Sequence, residues 1–196
     1  MVTSGQGDRE FVERLKAGDP TAYEELIETY AEMVYRVAYR ILQDPHDAED
    51  AMQETFLTVY RRIGSFRGDS KFSTWLYRIA TNVALDMVRA RQRKQGQDIS
   101  WDDSEEEGAP LPDTVTPLPE DVLLRQEVRE ILEEELQHLS PKLRTALVLY
   151  ELEGLPMKEV AEVLGISESA AKVRVHRARL LLQERLRQRL TEMEPA

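Results

Sequence analysis

Residues 96–119 read GQDISWDDSEEEGAPLPDTVTPLP, and this segment constrains the fold more than any other. It holds four prolines, two glycines, seven acids and no base. Such a stretch cannot bury enough apolar surface to offset its ordering entropy, so it reads as a linker and not as a packed element. As a flexible coil it would span about 25–30 Å, and its own charge would lengthen it. It divides the 196-residue chain into two parts, 1–95 and 120–196. Each is the size of a small domain.

Both parts read as helix, and no stretch shows sustained strand alternation. Asp19-Pro20 is an N-cap with a first-turn proline. Behind it Leu26, Ile27, Tyr30, Met33, Val34, Val37, Ala38 and Ile41 recur at helical spacing. Asp44-Pro45 repeats the signal, with Asp47 placed as a capping-box acid. Ala48, Met52, Phe56, Val59 and Ile63 form the expected buried stripe. Residues 63–70 break the pattern, and helix resumes from Lys71 to about Gln92. In the last part, Ser140-Pro141 opens a helix and Gly154-Leu155-Pro156 ends it. A short helix from Met157 to Leu164 follows, then a tight turn with Ser167 as N-cap, then a long helix 168–190. Short helix, glycine turn and longer helix make a helix-turn-helix. The expected fold is all-α: two small helical domains on a flexible acidic linker, the C-terminal one a helix-turn-helix.

Charge is distributed unevenly. The chain carries a net −11, yet residues 58–95 hold nine bases against two acids, and 172–196 hold seven against three. Local fields attract phosphates even where the total is negative. On the last helix, Ala171, Val175, Ala178 and Leu182 fall on one stripe, the expected core. Ser169, Val173, His176 and Arg177 lie opposite, flanked by Lys172, Arg174 and Arg179. A duplex-reading helix has this layout: one side packs, the other faces base edges, and cations meet phosphates at the rims. Arg177 suits guanine and Val173 a thymine methyl. A solvated basic surface accounts for the same charges.

The second basic patch mixes aromatics, cations and hydroxyls in Phe66, Lys71, Phe72, Ser73 and Thr74, with Arg78, Asn82, Arg89 and Arg91 along the following helix. Such a mixture suits unstacked bases. Phe66, Phe72 and Trp75 equally suit a core. Asp47, Asp50 and Glu54 share one helix side. Acids favour a helix start in any case, and the sharper alternative is a basic protein partner.

Several classes are excluded or disfavoured. Without cysteine there is no disulfide and no thiolate chemistry. His46, His138 and His176 are too scattered to suggest a metal cluster. There is no P-loop, GxGxxG or HExxH, so no catalytic residue, cofactor or metal is expected. No apolar run approaches the roughly 20 residues of a membrane span, and MVTSGQGDRE lacks a signal h-region. A soluble, cytoplasmic chain without membrane insertion is the expectation.

Two longer motifs carry a resemblance. DAEDAMQETFLTVYRRIGSFRGDSKFSTWLYRIATNVALDMVRARQR (47–93) is similar to the second conserved region of bacterial sigma factors of the extracytoplasmic-function group. LSPKLRTALVLYELEGLPMKEVAEVLGISESAAKVRVHRARLLL (139–182) is similar to the fourth. The resemblance implies a factor that binds core RNA polymerase and directs it to promoters. It implies that 1–95 binds polymerase and opens the −10 element, and that 120–196 reads the −35 element as duplex. Asp47, Asp50, Gln53, Glu54 and Leu57 would face the clamp of the largest catalytic subunit. Phe66 through Arg91 would capture a flipped base, with Asn82 taking part and Phe72 to Thr74 in the capturing loop. The linker would thread the polymerase toward the RNA exit path, and an anti-sigma factor is an expected partner. Ser169-Ala170-Ala171 stands where Gly-Thr-Val is common, Val173 where serine is, and Tyr150 where arginine is. Promoter sequences of relatives therefore do not transfer. A stand-alone helix-turn-helix regulator would explain 120–196 only, and would dimerise on a palindrome. A pure interaction module would show no salt-dependent DNA affinity.

Overall fold

A computed structural model describes residues 6–96 and 133–193, with side chains over 7–96 and 133–189. The chain divides into two compact units after Lys94. Most of the expected linker, and residues 120–132 of the expected second domain, lie outside the described residues. Among the described residues every regular element is helical.

Unit 1 contains α1 (Gln6–Lys16), α2 (Pro20–Leu42), α3 (Pro45–Arg62), a 3-10 turn (Ile63–Ser65) and α4 (Phe72–Lys94). The Asp-Pro signals start the helices where expected. Asp19 accepts from Thr21 N–H at 2.9 Å, and Asp44 from Asp47 N–H at 2.9 Å, each relieving an orphan donor of the first turn. The capping box is only half formed, because the Asp47 carboxylate is taken by Arg91 of α4. Leu15, Leu26, Val34, Val59 and Leu76 centre the core. Ile27 departs from the expected stripe and is 48% exposed. On α3 the buried line is Ala48, Ala51, Thr55 and Val59, with Met52 and Phe56 only partly covered. Thr55 is buried because its hydroxyl donates to Ala51 C=O at 2.7 Å. Helix α4 packs against both α2 and α3, so Thr74, expected among the base contacts, is buried, and Thr81 with it.

Unit 2 contains helical residues 133–136, α5 (Pro141–Leu147), a π-helical turn (Val148–Leu152), α6 (Met157–Leu164) and α7 (Glu168–Met193). The turn between α6 and α7 needs its glycine: Gly165 has φ 67°, a left-handed backbone that other residues rarely adopt. Ser167 Oγ then accepts from Ala170 N–H at 3.1 Å and starts α7. Ala171, Val175, Ala178 and Leu182 are buried, as their spacing requires. Both α5 and α6 pack on α7.

An ion cluster ties the start of unit 2 to the end of α7. Glu135 accepts from Arg185 at 2.6 Å and Arg189 at 3.0 Å, and Arg189 also reaches Glu134. Burial alone would raise the Glu135 carboxyl, but these two hydrogen bonds outweigh it and hold it below the usual carboxylate range. A depressed folded pKa contributes stability that is present above the unfolded value and is lost as pH falls through the folded one. Unit 2 should therefore lose stability below about pH 4. Glu135→Gln should cost about 1–2 kcal/mol at neutral pH, less than a fully buried pair because both arginines are over one-third exposed. It should also flatten the acid limb. Thermal melting of both chains from pH 7 to pH 3 checks this, and parallel acid limbs would refute it.

Candidate nucleic-acid interface

One side of α3 is acidic and apolar together. Asp50, Gln53, Glu54 and Leu57 follow i, i+3, i+4, i+7 spacing and are exposed, Leu57 at 49%. Asp47 lies at the same end but is paired with Arg91, and Glu54 is paired with Arg61 at 3.1 Å. Tyr60 extends the side by three residues and is 65% exposed, its ring 5.3 Å from that of Tyr23 on α2. Sequence reasoning passed over Tyr60 and Tyr23. The available signal was the spacing, since Tyr60 follows Leu57 by three positions on the same helix.

The basic side of unit 1 is divided. A groove of about 590 Å³ runs between α1 and the loop before α4. Arg9, Lys16, Arg67 and Lys71 supply its cations, Asp8 and Glu13 its acids, and Phe66 and Phe72 its apolar lining. A second groove of about 400 Å³ lies between α3 and α4, where Asn82 sits with Arg62, Glu54 and Asp86. The expected set is thus split: Phe66, Lys71 and Phe72 line one groove and Asn82 the other. Phe66, Phe72 and Thr74 are core side chains here, so they cannot stack or bond bases without leaving it. Phe72 sits edge-on to Phe11, Tyr30 and Phe66, with Trp75 tilted against it at 5.8 Å. Lys71, Arg78 and Asn82 are exposed and Ser73 half-buried. Arg89 is paired with Asp86 at 2.7 Å, and Arg91 with Asp47.

On α7 the expected duplex-reading side is partly covered. Ser169 and Lys172 are exposed and Arg177 is half-buried. Lys172 pairs with Glu168 at 2.9 Å, and Ser169 Oγ lies 2.9 Å from Ser167 Oγ. Val173, Arg174, His176 and Arg179, expected on or beside the same side, are buried. Nε2 of His176 has no partner among the described residues. Arg179 is engaged by Glu151 and lies over the Tyr150 ring at 5.3 Å.

The described residues therefore offer a helical unit with an acidic-apolar α3, one basic groove and one of mixed charge, and a separate helix-turn-helix unit. This arrangement agrees with two families: Sigma-70 region 2 matches residues 26–94, and Sigma-70 region 4 matches 129–182. The ECF RNA polymerase sigma factor SigW of Bacillus subtilis is 35% identical over 90% of this chain and 95% of its own. The chain belongs to the extracytoplasmic-function sigma factors. The RNA polymerase sigma-H factor of Pseudomonas aeruginosa is 37% identical over 98% of this chain and 100% of its own. Among solved structures, CnrH in complex with the cytosolic domain of CnrY superposes with a TM-score of 0.67 at 23% identity, over 93% of this chain and 99% of that one. Sigma factor RpoE of Bartonella quintana, in complex with the anti-sigma factor NepR, gives 0.61 at 23% identity over 84% and 96%. As a sigma factor, the chain binds core RNA polymerase and directs promoter-specific transcription initiation. Among the described residues no helix is long and apolar enough to cross a membrane.

Proposed function

We propose that the two units divide the promoter between them while α3 holds the polymerase. Asp47, Asp50, Gln53, Glu54 and Leu57 form the polymerase-docking side. Exposed carboxylates around an exposed leucine suit a partner surface that is basic and partly apolar. In the −10 set, Lys71, Ser73, Arg78, Asn82, Arg89 and Arg91 make the contacts, while Phe66, Phe72 and Thr74 shape the groove from the core side. Opening a duplex costs a few kcal/mol for each unstacked base, and a groove that receives the base offsets part of it. In the −35 set, Ser169, Lys172 and Arg177 are the accessible members. For Val173, Arg174 and His176 to reach a duplex, the atoms covering them must move. Residues 96–119 serve as the connecting linker, and the chain acts in the cytoplasm as a non-enzymatic factor. An anti-sigma partner follows by likeness to the complex of RpoE with NepR.

The observation that carries this reading is the order of charge along one family-matched chain: an acidic side on α3, a basic groove in the same unit, and a basic helix after a helix-turn-helix turn. The test adds the full chain to core RNA polymerase on genomic fragments and maps transcript 5′ ends. New starts should share a pair of upstream elements. Arg177→Ala should weaken dependence on the upstream one by about 1–3 kcal/mol, the worth of a lost base contact. An equal loss on all sequences would make Arg177 a phosphate contact instead.

A further inference from the structure

Arg179 looks in sequence like one more cation on a DNA-binding helix. The structure gives it other work. Its Nε and Nη2 both donate to Oε1 of Glu151, and its guanidinium lies over the ring of Tyr150, 5.3 Å from the centroid. The side chains of Arg179 and Glu151 are 7% and 14% exposed. Tyr150 packs against the unit 2 core, so the surface under the cation is itself fixed. Glu151 and Tyr150 are consecutive residues of the π turn Val148–Leu152, closed by Glu153 N–H to Val148 C=O at 3.0 Å. Single π turns inside helices recur at functional sites.

Burial and partners, not angle, separate Arg179 from the DNA-facing residues. Seven steps of 100° place Arg179 about 20° from Lys172 around α7. Yet Lys172 is exposed, whereas Arg179 is buried and held by Glu151 and Tyr150. Along the axis, Arg179 stands about 15 Å from Ser169 at the start of the helix. A tilt of α7 of about 10° at the Glu151 contact would move that start by roughly 2.6 Å. Such a shift is enough to break hydrogen bonds to base edges, whose distances vary by only a few tenths of an ångström.

We propose that Arg179 is a positioning residue that touches no DNA: clasped by Glu151 and Tyr150, it sets the pose of α7 on the π turn and so aims Ser169, Lys172 and Arg177 at the −35 duplex. This rests on the −35 reading above. A guanidinium suits the task better than an ammonium, because its planar fork bonds a carboxylate while its face rests on a ring.

The experiment uses the full chain assembled with core polymerase. It compares binding to a mapped promoter fragment with binding to the same fragment carrying a scrambled upstream element, across a range of salt and well below the melting temperature. Arg179→Met should lower discrimination about tenfold and leave the slope of log affinity against log salt unchanged. Glu151→Gln should lower discrimination in the same direction, although Glu151 has no positive charge to offer DNA. The exchange Glu151→Arg with Arg179→Glu should recover at least half of the logarithmic loss. A residue that only adds stability would shift the melting temperature and leave discrimination unchanged, which would overturn the proposal. A salt slope reduced by about one in Arg179→Met, with Glu151→Gln unaffected, would also overturn it and make Arg179 a phosphate contact. If Arg179→Met does not fold, Glu151→Gln and Arg179→Lys carry the same comparison, and both should lose discrimination. A wild-type chain that fails to distinguish the two fragments would refute the −35 reading itself, a result visible before any variant is made.

Discussion

Asp50→Arg combined with Glu54→Arg will abolish co-purification with core RNA polymerase while unit 1 melts like the parent. Both residues are exposed on α3, so reversing them disturbs no core contact. The partner lost inside the chain is Arg61, bonded to Glu54 at 3.1 Å on the surface, and such a pair is worth at most about 1 kcal/mol. At an interface the same change is much larger. Close charge pairs across an interface couple by about 1.5–7 kcal/mol, and reversal replaces attraction by repulsion. The expected loss is over about a hundredfold in affinity, roughly 2.7 kcal/mol or more. Glu32→Arg is the control. Glu32 is 92% exposed on α2, away from the α3 docking residues. It alters net charge without altering the docking side, so its binding should stay near that of the parent. Unchanged co-purification of the double variant would sink the polymerase-docking assignment.

Local punctuation is the part of this fold most legible in the sequence. Asp19-Pro20 and Asp44-Pro45 start α2 and α3, and Met157 to Leu164 is a helix with those bounds. Caps and glycine turns are short-range chemistry, decided by residues within one turn of each other. Burial is less legible, because it depends on how many neighbours a helix has. Helix α4 meets two helices, so Thr74, expected among the base contacts, is covered, and so is Thr81. Thr55 meets burial by donating its hydroxyl to a carbonyl one turn back, whereas Thr81 Oγ1 is buried without a hydrogen-bond partner among the described residues. Ile27 errs in the opposite direction: it has the right spacing and chemistry, and no covering neighbour.

The helices that carry the candidate site were legible, and the surroundings of its side chains were not. Helical projection placed the α7 core stripe correctly, since that stripe follows from period alone. It also placed Arg179 beside the DNA-facing residues, because a projection knows angle but not partner. Glu151 lies 28 residues earlier in the chain, in a π turn that no local pattern announced. The same applies to Arg91 and Asp47, 44 residues apart: one was expected on DNA and the other on polymerase, yet they hold each other in this structure.

Phe72 tests how far a motif residue can be core and functional at once. Its ring is 3% exposed and meets four others, with centroids 5.6 Å away for Phe11, 5.7 Å for Tyr30, 5.9 Å for Phe66 and 5.8 Å for Trp75. Truncation leaves a cavity that the packed residues around it cannot easily fill, so Phe72→Ala should destabilise unit 1 by about 3–5 kcal/mol. That is a large share of the 5–15 kcal/mol typical of a folded domain. Phe72→Leu keeps most of the volume and should cost about 1.5 kcal/mol or less. Urea unfolding followed by near-UV circular dichroism, where the Trp75 environment contributes, measures both. Stacking on an unpaired base predicts a different pattern. Phe72→Ala would then leave the unfolding midpoint unchanged and weaken binding to an opened −10 strand by about 1–3 kcal/mol. With the ring packed on four others and only 3% exposed at the groove, we expect the first pattern, with any loss of strand binding following the loss of folded unit 1. The loop that Phe72 anchors then owes its shape to the core, and the DNA contacts proposed for this segment fall to Lys71 and Ser73 on either side.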